Sequence, residues 1–153
     1  MANFSHSVRV RAPAARVFHA ISDFPNAPTL IKGITKIEML TDGPTRVGTT
    51  FRETRMMFGR EATETMEVSR LEPGRAYELT CMSCGCRYVS EMRAQPVGDE
   101  TDLSLSFQAT PLTFIATVMG FVMRPLFRSM CKAISNDLVE MKAEIERREA
   151  ATG

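Results

Sequence analysis

Apolar and polar positions alternate along most of the chain as far as Pro111, and then the spacing becomes helical. SHSVRVR places Val8 and Val10 on one face and Arg9 and Arg11 on the other, the period of a half-buried strand. Pro13 precedes AARVFHAISDF, where Val17, Phe18 and Ile21 fall at helical spacing, so a short helix is expected there. Pro25 and Pro28 interrupt it, and PTLIKG allows a second short helical turn before Gly33. ITKIEML alternates again. Beyond the Asp42-Gly43-Pro44 turn, VGTTFRETRMM and EATETMEVSRL read as a hairpin of two long strands around Phe58-Gly59, closed by Glu72-Pro73-Gly74. AYELTCM and CRYVSEMRA read as a second hairpin, and TDLSLSFQA alternates Leu103, Leu105 and Phe107 with polar neighbours. From Pro111 to about Arg148, Met123, Phe127, Ile134, Leu138, Met141 and Ile145 recur by threes, fours and sevens, which predicts one long helix.

The order is one strand, two short helices, six strands and a long helix. An antiparallel meander has one apolar and one wet face, and Arg9, Arg52, Thr54, Glu67, Glu78, Thr80, Arg87 and Glu91 supply the wet one. Only the C-terminal helix is long enough to cover the other. The expected class is α+β, with a curved antiparallel sheet of six to seven strands wrapped around that helix and the short helices closing one end. A chain of 153 residues suits a single domain, placed at 1–149, with 150–153 as a flexible tail.

Hairpin register follows from asking which pairing collects apolar residues on one face. With Cys84-Gly85 as the turn, Cys81 faces Tyr88, Leu79 faces Ser90 and Tyr77 faces Met92. With Phe58-Gly59 as the turn, Phe51 pairs with Met66, Glu53 with Glu64 and Arg55 with Ala62. Phe51 and Met66 mark the inner face, so Glu53, Arg55 and Glu64 point the same way. Two carboxylates directly opposite repel, and the adjacent Arg55 either compensates them or binds a ligand's carboxylate or carbonyl. Glu53, Glu64 and Tyr88 are the catalytic candidates, one carboxyl acting as general acid or base. The alternative leaves the charged residues at a solvated rim as an ordinary ion-pair cluster.

Composition narrows the rest. Lys and Arg total 19 against 18 Asp and Glu, and without a basic block nucleic acid is not an expected partner. Eleven methionines and no Trp suit a loosely packed core or an adaptable apolar pocket. CMSCGC holds three of the four cysteines, but one C-x-x-C with no second pair and no nearby histidine is not a zinc site. No metal and no cofactor are expected, and reduced thiols suit a cytoplasmic protein. In PLTFIATVMGFVMRPLFRSMC the apolar run is shorter than the ~20 residues a bilayer crossing needs. Gly120 and Pro125 are expected to bend the helix there, and a fully covered core helix, peripheral membrane contact and a homodimer surface all stay open for it.

The stretches APAARVFHAISDFPNAPTLIKGITKIEML and VGTTFRETRMMFGREATETMEVSRLEPGRAYEL resemble the START/Bet v 1-like (SRPBCC) superfamily, specifically its bacterial polyketide cyclase/dehydrase-type members. The resemblance implies a helix-grip fold with a deep cavity between sheet and long helix. It also implies an apolar ligand such as a lipid, quinone or polyketide, and it supplies no universal catalytic residue. The expected pocket is lined by Phe51, Met66, Tyr77, Leu79, Tyr88, Leu105, Phe107, Val118 and Phe121, with Arg55 at its polar end. The leading reading is a binding or carrier protein for an apolar small molecule. A cyclase or dehydratase using a cavity carboxylate with a tyrosine, and a membrane- or partner-interaction module built on the long helix, are the alternatives.

Overall fold

The computed structural model describes residues 2–57 and 59–152. Phe58, expected in the first hairpin turn, and Gly153 lie outside the described residues. The elements are β1 (Ala2–Val10), α1 (Ala14–Ile21), a single 3-10 turn (Phe24–Asn26), α2 (Ala27–Leu30), β2 (Ile34–Met39), β3 (Thr50–Met57), β4 (Arg60–Glu72), β5 (Ala76–Ser83), β6 (Cys86–Val97), β7 (Glu100–Pro111), α3 (Phe114–Val122) and α4 (Arg124–Thr152). The seven strands form one antiparallel sheet in the order β1-β7-β6-β5-β4-β3-β2. This is the α+β helix-grip arrangement expected from the pattern.

Proline punctuates the front half. Pro13 occupies the N-cap position of α1, whose Val17 and Ile21, four residues apart, are its buried residues. Pro25 opens the 3-10 turn, and Pro28 sits in the first turn of the four-residue α2. Register shifts at Ile34/Lys36 in β2 and at Val68/Arg70 in β4 bend those strands and add to the curl of the sheet. Within that curl lie Val10, Phe24, Phe51, Val68, Leu103, Leu138 and Ile145, all nearly inaccessible to water. Two threonines share the interior with their hydroxyls satisfied: Thr49 Oγ1 accepts from Arg46 N at 2.9 Å, and Thr101 Oγ1 donates to the Ala12 carbonyl at 2.7 Å.

The expected single C-terminal helix is two helices. Apolar patterning runs unbroken through the segment, but Arg124-Pro125 starts a new helix instead of continuing the old one. Proline lacks an N–H and disfavours helical geometry in the residue before it, so it is tolerated in a first turn and not in an interior. Met123 is left as the C-cap of α3, and the axes of α3 and α4 differ by 77°. No single helix among the described residues is long and apolar enough to cross a membrane.

The C-terminal part of α4 is the part that grips. Its buried residues are Leu138, Met141 and Ile145, a stripe at helical spacing. Polar clamps lie beside that stripe. Arg11 N donates to Glu146 Oε2 at 2.7 Å, Lys32 N donates to Glu140 Oε2 at 2.8 Å, and Arg16 pairs with Glu149. Burial pushes the Glu146 carboxyl up, yet Lys142 and Arg11 outweigh it and hold the group at about 2. The helix runs on through Thr152, across positions 150–152 that were expected as a tail.

Candidate functional site

A cavity of about 410 Å³ lies between the inner face of the sheet and α4, with α1 and α2 closing one end. Strand alternation builds its wall. Phe51, Glu53, Arg55 and Met57 project inward from β3, Ala62, Glu64 and Met66 from β4, and Tyr77, Leu79, Cys81 and Ser83 from β5. Tyr88, Ser90 and Met92 of β6 and Leu105 and Phe107 of β7 complete the sheet side. From α4 come Met130, Ile134, Asp137 and Met141, spaced by four, three and four so that they form one stripe. Ile21, Phe24, Leu30, Ile31 and Ile34 shut the inner end, all of them buried. The outer end is bounded by Met57, Ser83, Cys84 and Met130, and of these Cys84 is exposed.

One polar cluster interrupts this apolar lining. Arg55 Nε donates to Glu53 Oε1 at 2.8 Å and Arg55 Nη1 donates to Asp137 Oδ2 at 3.0 Å. All three side chains are largely covered, at 20%, 13% and 16% exposure, so these pairs are stronger than ion pairs in open water. Burial drives the Asp137 carboxyl above its usual range, more than the Arg55 guanidinium pulls it down. Glu64 lies opposite Glu53 in register, but its carboxylate takes different partners. Ser83 Oγ donates to it at 3.0 Å and the Cys81 thiol at 3.6 Å. Three carboxyl groups thus share this end of the cavity with one guanidinium, and the balance is negative.

Both tyrosines are in the wall, in different roles. Tyr77 donates its hydroxyl to the Ile21 carbonyl at 3.1 Å, fastening α1 to β5, and burial followed by Glu53 raises its pKa. Tyr88 stacks on Phe107 with ring centroids 5.7 Å apart, and its phenol is pushed up to about 12 by burial, then by Cys86, Cys84 and Glu64. It therefore stays protonated near neutral pH and can donate a hydrogen bond to a ligand.

The structure places Phe51, Glu53, Arg55, Glu64, Met66, Tyr77, Leu79, Tyr88, Leu105 and Phe107 around this one cavity. Val118 and Phe121 are corrections. They sit on α3, which turns away from the sheet, and they are exposed at 46% and 70% instead of lining the cavity. Their places are taken by Met130, Ile134 and Met141 of α4. Asp137 is the charged cavity residue that the sequence pattern did not single out. Its signal was an acid set on the helical stripe of Met130, Ile134 and Met141.

All four thiols are free, and Cys84 stands at the tip of the β5–β6 turn with φ of 51°, followed by Gly85 at 74°. Positive φ at both central residues is the type I′ hairpin geometry that fixes this register. Among the described residues, no three His, Cys, Asp or Glu side chains converge as metal ligands. The thiols differ in reactivity. Burial, then Glu64, pushes Cys81 up to about 12, and the thiolate is the reactive form. Iodoacetamide at pH 8 is expected to alkylate Cys84 well before Cys81, read by peptide mass spectrometry. Equal rates would mean that the β5 end opens freely to solvent.

The family described as polyketide cyclase / dehydrase and lipid transport matches the chain over residues 1–146. No curated protein matches it. Among solved structures, the ZhuI aromatase/cyclase from Streptomyces sp. R1128 superposes with a TM-score of 0.83 at 22% identity, covering 99% of this chain and 98% of that one. The protein TTHA0849 from Thermus thermophilus gives 0.74 at 17% identity, covering 99% of each chain. Major latex-like protein 151 from Panax ginseng gives 0.73 at 12%, covering 96% of each. At such identities the likeness is one of fold.

Proposed function

Because the chain belongs to the polyketide cyclase/dehydrase and lipid transport family, we propose that it is a binding or carrier protein for a neutral, largely apolar small molecule with a hydroxyl or carbonyl group at one end. The observation that carries this reading is the cavity itself, about 410 Å³, apolar except for the Arg55 cluster, the Glu64–Ser83 pair, Ser90 and the Tyr88 hydroxyl. That volume lies within the roughly 300–1,000 Å³ usual for small-molecule pockets, which pair an apolar lining with a few orienting polar groups. The charge balance selects the ligand. Arg55 is already engaged by two carboxylates, and Glu64 adds a third acid. An anionic ligand would have to displace one of them, whereas a carbonyl accepts from a spare guanidinium or Tyr88 donor at no such cost. A fatty acid is therefore disfavoured against a quinone, a sterol or a neutral polyketide.

The test is native mass spectrometry of the purified protein with denaturing extraction, followed by thermal melts with a quinone, a sterol and a fatty acid of similar size. The neutral ligand is expected to raise the melting midpoint by roughly 5–10 °C at about a hundredfold excess over Kd, and the fatty acid to leave it unchanged. No co-purifying mass and no stabilisation by any of the three would sink the carrier reading.

One observation favours a second reading, a cyclase- or dehydratase-type enzyme. Asp137 lines the cavity beside Arg55, and burial makes its carboxylate more basic than usual and so better suited to take up a proton, with Tyr88 as a hydroxyl donor. Asp137→Asn would then abolish turnover of a polyketone while leaving its binding intact. Loss of neither would return the cluster to a purely orienting role.

A further inference from the structure

The nine residues of α3 carry no charged side chain and have little cover. Only Ala116 is buried, while Phe114 is 83% exposed, Ile115 74%, Phe121 70% and Val122 66%. An apolar patch of this kind marks an interaction surface. The charges on the segment that carries it are one-sided. Between Asp102 and Asp137 the chain contains Arg124, Arg128 and Lys132 and no Asp or Glu. All three cations are exposed, and the Arg124 guanidinium lies 4.4 Å over the Phe121 ring.

The fold sets this patch beside the outer end of the cavity. Leu112 N donates to the Gly85 carbonyl at 2.8 Å, which roots α3 on the β5–β6 turn whose Cys84 lines the cavity. The fit there is close, since a Cβ on Gly85 would stand 3.1 Å from Thr113 Oγ1 and 3.4 Å from Ala116 Cβ. The β3–β4 and β5–β6 turns lie at the same end of the meander, and beside them Met56 and Met82 are exposed at 46% and 60%.

We propose that α3 and the first turns of α4 dock on the surface of an anionic lipid bilayer, with Phe114, Ile115, Phe121 and Val122 among the acyl chains and Arg124, Arg128 and Lys132 at the headgroups. Nine helical residues span about 13 Å, well short of a ~30 Å hydrocarbon core, so α3 lies in the interface. The 77° turn into α4 lets α3 lie in the membrane plane while α4 returns to the sheet. Charge argues for lipid over a second copy of the chain. A twofold dimer through this patch would bring the same three cations together, and the segment that carries them has no acid of its own to offset them, whereas phosphate headgroups complement them. The surface stands whatever the cavity holds, so failure of the cavity ligand would leave it untouched.

The experiment is flotation of the full chain with vesicles of phosphatidylcholine alone or mixed with phosphatidylglycerol, at low and high salt. Binding to the mixed vesicles is expected to be at least about tenfold tighter than to phosphatidylcholine, and to weaken as salt rises. Phe114→Asp with Phe121→Asp should abolish binding to both. Arg128→Glu with Lys132→Glu should remove the preference for the anionic lipid. These positions are exposed, so both variants should keep the wild-type melting midpoint within ~2 °C. Absence of binding to either vesicle, or binding that ignores the Asp pair, overturns the proposal. So does a dimer in sedimentation that Phe121→Asp dissolves, which would give the surface to a second copy.

Discussion

Replacing Arg55 with methionine is expected to lower the free energy of unfolding by about 2–3 kcal/mol at neutral pH. Removing one partner of a buried ion pair typically costs about 3–5 kcal/mol, because the charge left behind is uncompensated. Here it strands both Glu53 and Asp137, and their residual exposure of 13% and 16% trims the figure. The loss should depend on pH. In the intact protein the folded-state pKa of Asp137 already lies above its ordinary value of 3.8, and losing Arg55 raises it further. Over that window the folded protein binds more protons than the unfolded chain, so stability falls as pH rises. Urea melts at about pH 4 and pH 7.5 should therefore show the variant close to wild type at the lower pH and well below it at the higher. Adding Asp137→Asn should recover part of the deficit, since one stranded carboxylate is then gone. A deficit that is flat with pH would mean that Arg55 acts through packing of its stem alone.

Leu138→Ala is expected to cost about 3 kcal/mol, in the usual range for a buried leucine truncated to alanine. Leu138 is fully inaccessible and is one of only three buried residues on a 29-residue helix. Its neighbours Asp137 and Met141 line the cavity, so a loosened helix should weaken ligand binding along with stability. Val139→Ala, one position along and 53% exposed, provides the control and should change the urea midpoint by no more than about 0.5 kcal/mol equivalent. Similar losses from both would show that α4 is held by its ion pairs and not by its apolar stripe.

The sheet was legible in the sequence because side-chain parity and two-residue turns leave few registers. The pairings Phe51↔Met66, Glu53↔Glu64, Cys81↔Tyr88 and Tyr77↔Met92 are those that alternation demands. Contacts set by the lie of α4 were not legible. Asp137 meets Arg55 across 82 positions of sequence, and no local pattern specifies the angle at which a helix crosses a sheet. Val118 and Phe121 were misplaced for a related reason. An unbroken apolar run looks like core until Arg124-Pro125 is read as a helix start, after which α3 has no surface left to cover. Hydrophobicity alone cannot distinguish a residue facing the interior from one facing another apolar phase.

The strand order carries a consequence for assembly. Every pairing in the sheet but one joins strands consecutive in sequence; the exception is β1 with β7, where Val10 meets Thr101 and Ala2 meets Ala109. In a chain made from its N-terminus, β1 waits without a partner while the meander from β2 to β7 zips locally, and its docking then closes a loop of most of the chain. Such a waiting strand invites pairing with a neighbouring molecule. Asn3, Ser5, Ser7 and Arg9, all exposed, give it little apolar surface to offer. α4 packs against β1 as well, so β1 and α4 complete the container together, and no ligand can be enclosed before α4 has been made.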